Sequence, residues 1–234
     1  MYRLQKCLGV ALATLLSISS LTGCTNQDKS AVQETASSFM AIVASDSTED
    51  ITKYATAEVA NGGFVQLFDS DTLVKQLADG AGVSELTEES KTELDEFASL
   101  FSDMIKSYTI TDINLDKKDG TQTATAVATF KTSFAMDILG SESASNKINE
   151  AITAYNSNNA EEIAALYEEG NDVAETKIYN DMLRIILDIY EDEIQNSQEM
   201  TYAIVLNLEK NNETDTWIVT SVSDYDSASS SQDN

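Results

Sequence analysis

Residues 108–134, YTITDINLDKKDGTQTATAVATFKTSF, decide the fold. Both halves of the stretch are rich in Thr, Ile and Val, which fit a pleated, half-buried surface. Between them, Lys117-Lys118-Asp119-Gly120 carries Asp-Gly, a strong signal for a tight hairpin turn. In the second half, Ala124, Ala126, Ala128, Phe130 and Phe134 share one parity; Thr123, Thr125, Val127, Thr129 and Lys131 share the other. Successive side chains of a strand point to opposite faces, so the alanine row is the inward one. Short side chains in that row predict a helix lying close on the sheet. In the first half the apolar parity slips: Tyr108 and Ile110 are even, Ile113 and Leu115 odd. A β-bulge repairs the phase.

C-terminal to this hairpin, residues 140–198 return to a helical period. Asn159 with Glu162 three residues on resembles a capping box, with Ile163 and Leu166 behind it and Gly170 closing that helix. Asn171 or Asp172 caps the next, which runs to about Asn196 with Ile178, Met182, Ile185, Ile186 and Ile189 as its expected core face. Two strands follow. Met200 to Lys210 alternates through Tyr202, Ile204, Leu206 and Leu208, and Thr216 to Ser223 carries Trp217, Ile218, Val219 and Val222, with residues 211–215 as the loop. Both strands before a turn end alike, Leu115-Asp-Lys-Lys118 and Leu208-Glu-Lys-Asn211. Two readings fit that likeness, a weak internal repeat and, favoured, the common preference for acidic and Lys residues at hairpin ends.

On the N-terminal side, Val32, Ala36, Phe39 and Val43 mark one face of a helix from about Ser30 to Ala44. A shorter helical piece is expected from Glu49 to Ala57, a turn at Asn61-Gly62-Gly63, and a short helix from Asp69 through Leu73, Val74 and Leu77 to Gly80. Thr87 caps a longer one whose stripe is Leu94, Phe97, Ala98, Phe101 and Ile105. The order helices, hairpin, helices, hairpin predicts a single α+β domain over residues 30–224. Residues 24–29 read as a polar tether and 225–234 as a Ser- and Asp-rich disordered tail.

Residues 1–23 have a positive start at Arg3 and Lys6, an uncharged apolar run from Leu8 to Leu21, and a small-residue end, the layout of a secretory signal peptide. The run is too short to span a bilayer, which takes about 20 apolar residues. Leu21-Thr22-Gly23-Cys24 resembles the lipobox of bacterial lipoproteins. The resemblance implies that Cys24 is alkylated by diacylglycerol, becomes the first residue, and carries palmitate-type chains that hold the protein on the extracytoplasmic face of the cell membrane. Two acyl chains anchor stably where one is marginal. The chain has 2 Cys, Cys7 and Cys24, so the folded domain is left without a disulfide.

The strings Tyr108 to Leu115, Ala124 to Thr129, Tyr202 to Lys210 and Trp217 to Val222 together resemble uncharacterised Gram-positive lipoproteins with a nuclear transport factor 2-like (cystatin-like) domain. That likeness covers residues 30–224. It implies helices packed on a curved antiparallel sheet of about four strands, cone-like, around an apolar pocket, with the helical stretch between strands two and three as an insertion. It implies no particular activity.

Composition excludes much chemistry. The 234 residues hold 14 Lys+Arg, 40 Asp+Glu and no His. Removing residues 1–23 takes away Arg3 and Lys6 and no acid, so 12 basic and 40 acidic side chains remain, net −28. Without His there is neither a Ser-His-Asp triad nor a His-ligated metal. A chain so acidic is not expected to bind nucleic acid, whose phosphates need clustered Lys and Arg. Asp112 to Asp116 has the alternate spacing of a calcium loop, but Lys117 stands where that loop needs Gly and Thr123 where it needs Glu. No Ser precedes a Lys by three residues, so the Ser-x-x-Lys acyl-enzyme motif is missing. Acid pairs such as Glu88/Glu89, Glu161/Glu162 and Glu168/Glu169 read as solvated helix faces. No metal and no cofactor is therefore expected.

Two residues remain as candidate pocket ligands. Arg184 is the only Arg after residue 23, flanked by Asp181 and Asp188 at helical spacing, which favours a surface pair. Trp217 is the only Trp, and one Trp in a domain is usually core. The expected function is a non-catalytic, lipid-anchored domain that binds a small apolar ligand, a peptide or an envelope protein. The alternative is an enzyme of the ketosteroid-isomerase kind, marked by a Tyr and an Asp converging in an apolar cavity.

Overall fold

The computed structural model describes residues 24–45, 48–79, 86–118 and 120–225. The expected signal peptide (residues 1–23), the expected helix stop at Gly80, Asp119 of the Asp-Gly pair and the expected tail from residue 226 lie outside the described residues.

Four strands, β1 (Ile105–Lys118), β2 (Thr121–Thr132), β3 (Met200–Asn211) and β4 (Thr216–Asp224), form one antiparallel sheet in the order β1-β2-β3-β4. The sheet is open, with β1 and β4 as its edges. The expected alternation holds: Ala124, Ala126, Ala128 and Phe130 are buried, and their odd-numbered neighbours are not. Each buried alanine is paired with a large residue of β3, Ala124 with Leu208, Ala126 with Leu206 and Ala128 with Ile204. Small beside large fills a layer without voids. Helix α1 (Cys24–Val43) lies across this face on β1, β2 and β4, and buries Val32, Ala36, Phe39, Met40 and Val43.

The bulge falls where the parity slips. Thr111 pairs with Val127 and Asn114 with Thr125, so Asp112 and Ile113 together oppose Ala126. Asp112 takes φ +50°, a conformation that costs most residues about 1–2 kcal/mol but that Asp and Asn tolerate best. Gly120 closes the first hairpin at φ +90°, where Gly carries no such cost. In β4 a second register shift, between Leu208 and Asn207, moves the inward position from Val219 to Val222. The free edge of β4 is occupied in part: Thr56 N–H donates to Val219 O at 2.9 Å, and Val219 N–H donates to Tyr54 O at 2.8 Å.

Three N-terminal expectations need correction. Residues 24–29 are not a tether but the first turns of α1. Asp28 meets Lys210 of β3 at 2.9 Å, and both side chains are largely buried. The polar composition that reads as a linker is satisfied by another element. The piece from Glu49 to Ala57 is a single 3-10 turn (Thr48–Lys53) followed by the bridge to β4. Ile105 is not on the helical stripe; it begins β1. Short helices α2 (Ala57–Ala60), α3 (Gly63–Gln66) and α4 (Ser70–Asp79) lead to α5 (Glu88–Ser102), capped by Thr87, whose Oγ1 accepts from Ser90 N–H at 3.2 Å. Rings tie these helices to the sheet. Phe64 packs edge-on against Phe68 and Phe130, and Phe101 against Phe97 and Phe134.

Between β2 and β3 come a 3-10 turn (Ile138–Gly140), α6 (Glu142–Asn158), α7 (Ala160–Glu169) and α8 (Asn171–Gln195). The capping box at Asn159 does not form; its side-chain amide turns back to Tyr155 O at 2.8 Å. Neither Asn171 nor Asp172 caps α8. Gly170, at φ +152°, is the residue before its first turn, and no side chain caps it. The core face of α8 also differs from the expected one: Leu183, Leu187 and Asn180 are buried, whereas Ile178, Met182, Ile185, Ile186 and Ile189 are half-buried. At 3.6 residues per turn, Ile178, Met182, Ile185 and Ile189 lie on the side opposite Leu183 and Leu187. They share that side with Asp181 and Asp192, which bond to Tyr155 and Lys147 of α6. Helix α8 carries two apolar stripes, one on α5 and the core, one on α6 and α7. Periodicity finds both and does not say which partner each meets.

Candidate functional site

Helices α5 and α8 lie side by side, joined along their length. Asn180 Oδ1 accepts from Thr87 N–H at 2.9 Å, Arg184 reaches Glu93 at 3.1 Å and Glu89 at 3.2 Å, and Phe97 faces Tyr190 with ring centroids 6.0 Å apart. Towards the C-terminal end of α8 the seam opens into a groove. Two adjoining depressions, of about 220 and 390 Å³, share Leu100 and Ile194 as floor. Glu96 and Glu191 border the first; Phe134, Ser133 and Lys106 border the second.

The groove is electrically polar. At one end, burial and then the negative charges of Asp188, Glu96 and Glu93 push the Glu191 carboxyl above the usual carboxylate range. At the other end the Lys106 ammonium donates to Asp103 O at 3.0 Å. Between them the walls are mixed, apolar at Leu100, Phe134 and Ile194 and polar at Ser99, Asp103, Ser133 and Gln195. Such a seat suits a ligand with a hydrocarbon body and a cationic group placed near Glu96 and Glu191.

Glu191 gives a pH-dependent test. A carboxyl whose folded pKa is raised binds a proton more readily folded than unfolded, so stability declines as pH rises through that pKa. Glu191→Gln removes the penalty. The variant is expected to unfold at a higher temperature than the parent at pH 7, with the gain disappearing below about pH 4, where glutamates protonate in both states. An equal gain at both pH values would show that charge is not the cause.

The residues singled out from sequence do not converge here. Cys24 stands at the start of α1. Arg184 does form a surface pair, but with Glu93 and Glu89 of α5 rather than with Asp181 or Asp188 of its own helix. Trp217 is 3% exposed, within the core under α1; its backbone carbonyl accepts from Thr35 Oγ1 at 3.5 Å, and its buried indole N–H has no hydrogen-bond partner among the described residues. Asp112 to Asp116 lies in β1 through the bulge, not in a loop. Among the described residues no group of three or more Asp, Glu or Cys could hold a metal ion.

A Tyr–Asp pair does exist: Tyr155 Oη donates to Asp181 at 2.8 Å. It sits between α6 and α8, with Lys177 also on Asp181 at 2.7 Å, and not over the sheet. Burial first, then Asp181, pushes the Tyr155 hydroxyl well above its ordinary range, which makes it a poor acid. Over the sheet, the tyrosines bond the backbone instead: Tyr108 Oη donates to Ser37 O and Tyr202 Oη accepts from Met136 N–H. Leu100 and Ile194, which make the groove, fall outside the apolar stripes read from sequence. Their off-stripe position was the only signal.

In comparisons with known proteins, no family, no curated protein and no solved structure matches the chain. No helix of the described residues is long and apolar enough to cross a membrane.

Proposed function

We propose that this chain is a non-catalytic binding domain, held by diacylglycerol on Cys24 at the extracytoplasmic face of the cell membrane, with the α5–α8 groove as its ligand seat. The observation that carries the reading is the groove itself, a floor of Leu100 and Ile194 between carboxylates at one end and Lys106 at the other. The ligand class that fits is a small apolar molecule with a cationic head. In the same reading, the sheet is an opened-out cone of the nuclear transport factor 2-like kind, and residues 133–199 are its helical insertion. The packing of an N-terminal helix on an antiparallel sheet supports that, as does the chain order. The isomerase alternative needs a Tyr and an Asp over the sheet, a space that Phe39, Met40 and Phe130 fill.

A fluorescent alkylammonium probe tests the seat, with the alkyl sulfate of equal chain length as control. Saturable binding of the cation is expected, weakened about tenfold when Leu100→Ser and Ile194→Ser together remove the floor, a change of about 1.4 kcal/mol. Equal binding of both probes, or binding indifferent to the double substitution, would rule the groove out.

A further inference from the structure

Helices α6 and α7, joined through Asn159, run back along α8 after the turn at Gly170, so residues 141–195 form a helical hairpin. Only part of it rests on the body. Helix α5 meets α8 from Asn180 onward, beginning at the bond from Thr87. Among the described residues, Ala144 and Ala174 are the buried apolar side chains from 141 to 178, and neither belongs to the main core cluster; the first residue of α8 packed against that cluster is Tyr179. No residue of α7 is buried. The tip, residues 160–178, is therefore a projecting arm whose helices pack on each other.

The tip presents apolar surface to water. Tyr167 is 46% exposed and Val173 49%, and each stands three residues from Gly170. They are two of four large apolar residues exposed to this degree among the described residues. The same segment carries Glu161, Glu162, Glu168, Glu169, Asp172 and Glu175, all exposed; its one base, Lys177, is engaged by Asp181 and Glu162. An aromatic and an aliphatic anchor inside a charged rim is the anatomy of a binding patch.

Charge selects the occupant. An anionic bilayer is repelled by the carboxylates, and so is a second copy of a chain that itself carries net −28 (12 basic and 40 acidic side chains after residue 23). A basic partner is attracted. We propose that the arm tip is a docking surface for a cationic amphipathic segment of another envelope protein, which sets an apolar side chain against Tyr167 and Val173 and its Lys or Arg residues against the surrounding carboxylates. The tip is distinct from the groove: Val173 and Ile194 are separated along α8 by about 30 Å at 1.5 Å per residue.

The probe is a fluorophore-labelled amphipathic helix of Lys and Leu, titrated into the full Cys24→Ala chain so that no acyl chain contributes. Saturable binding at physiological salt with a Kd below about 100 µM is expected. Tyr167→Ala with Val173→Ala should weaken it about tenfold without moving the thermal midpoint, since both residues are exposed. Glu168→Gln, Glu169→Gln and Asp172→Asn together should flatten its dependence on salt while leaving the apolar contact. Lack of saturable binding overturns the proposal, as does binding indifferent to the tip substitutions, which would be diffuse attraction to an acidic protein. It is equally overturned if phosphatidylglycerol vesicles co-sediment with the chain, or if the chain self-associates, in a manner lost with Tyr167→Ala and Val173→Ala.

Discussion

Phe101→Ala is expected to destabilise the domain by about 3–5 kcal/mol, the range for deleting a fully buried aromatic side chain. Phe101 is completely buried and stands edge-on to Phe97 at 5.4 Å and to Phe134 at 5.2 Å between ring centroids. One ring thus ties α5 to the segment leaving β2. Its removal deletes apolar burial, breaks two aromatic contacts and leaves a space that α5, pinned to α8 through Arg184 and Asn180, cannot close. Domains of this size are stable by only about 5–15 kcal/mol, and with Cys24 the one cysteine among the described residues no disulfide within them limits the loss. The urea midpoint measures it. A fall of less than about 1 kcal/mol would mean that the helix does not sit on the sheet as described. Tyr167→Ala, the same class of truncation on the arm tip, should stay within about 0.5 kcal/mol.

The second large effect concerns place rather than stability. Cys24→Ala is expected to move the protein from the membrane fraction to the soluble one. In the proposed reading the thiol of Cys24 in Leu21-Thr22-Gly23-Cys24 is the acylation site, and no helix of the described residues is long and apolar enough to cross a bilayer. The acidity of the domain works against surface adsorption. Each buried methylene of an acyl chain contributes about 0.8 kcal/mol, so losing two chains removes far more than any peripheral contact returns. Cys24 is the first residue of α1, and the thermal midpoint of the Cys24→Ala protein checks that its fold is kept. Cell fractionation decides. A Cys24→Ala protein that stays with the membrane as firmly as the parent would place the anchor elsewhere and remove the basis of the proposed location.

The strands were legible because period two is short and strict. One slipped parity between Ile110 and Ile113 was enough to locate the bulge, and Asp-Gly to locate the turn. The helices were legible as helices but not in their contacts. Helix α8 has apolar residues on two sides, and nothing in its sequence distinguishes the stripe on α5 from the stripe on α6. The first turns of α1 were missed because Asp28 finds its partner Lys210 at a separation of 182 residues, invisible to local composition. The same distance problem hid the groove, which exists only because Leu100 and Ile194 of two separate helices meet. Arg184 was visible as a pairing residue, but its acids came from α5.

The two edges of the sheet are unlike each other and alike in outcome. Asp112 kinks β1 out of regular pairing, and residues 54–56 sit against Val219 on β4. Open strand edges recruit strands from other molecules unless they are bent or covered. For a protein free in solution that hazard is diluted. On the proposed lipid anchor, copies would share a plane and meet in few orientations, and a regular edge would offer them strand pairing. The kink at Asp112 and the cover at Val219 interrupt the two edges along which such pairing would have to run.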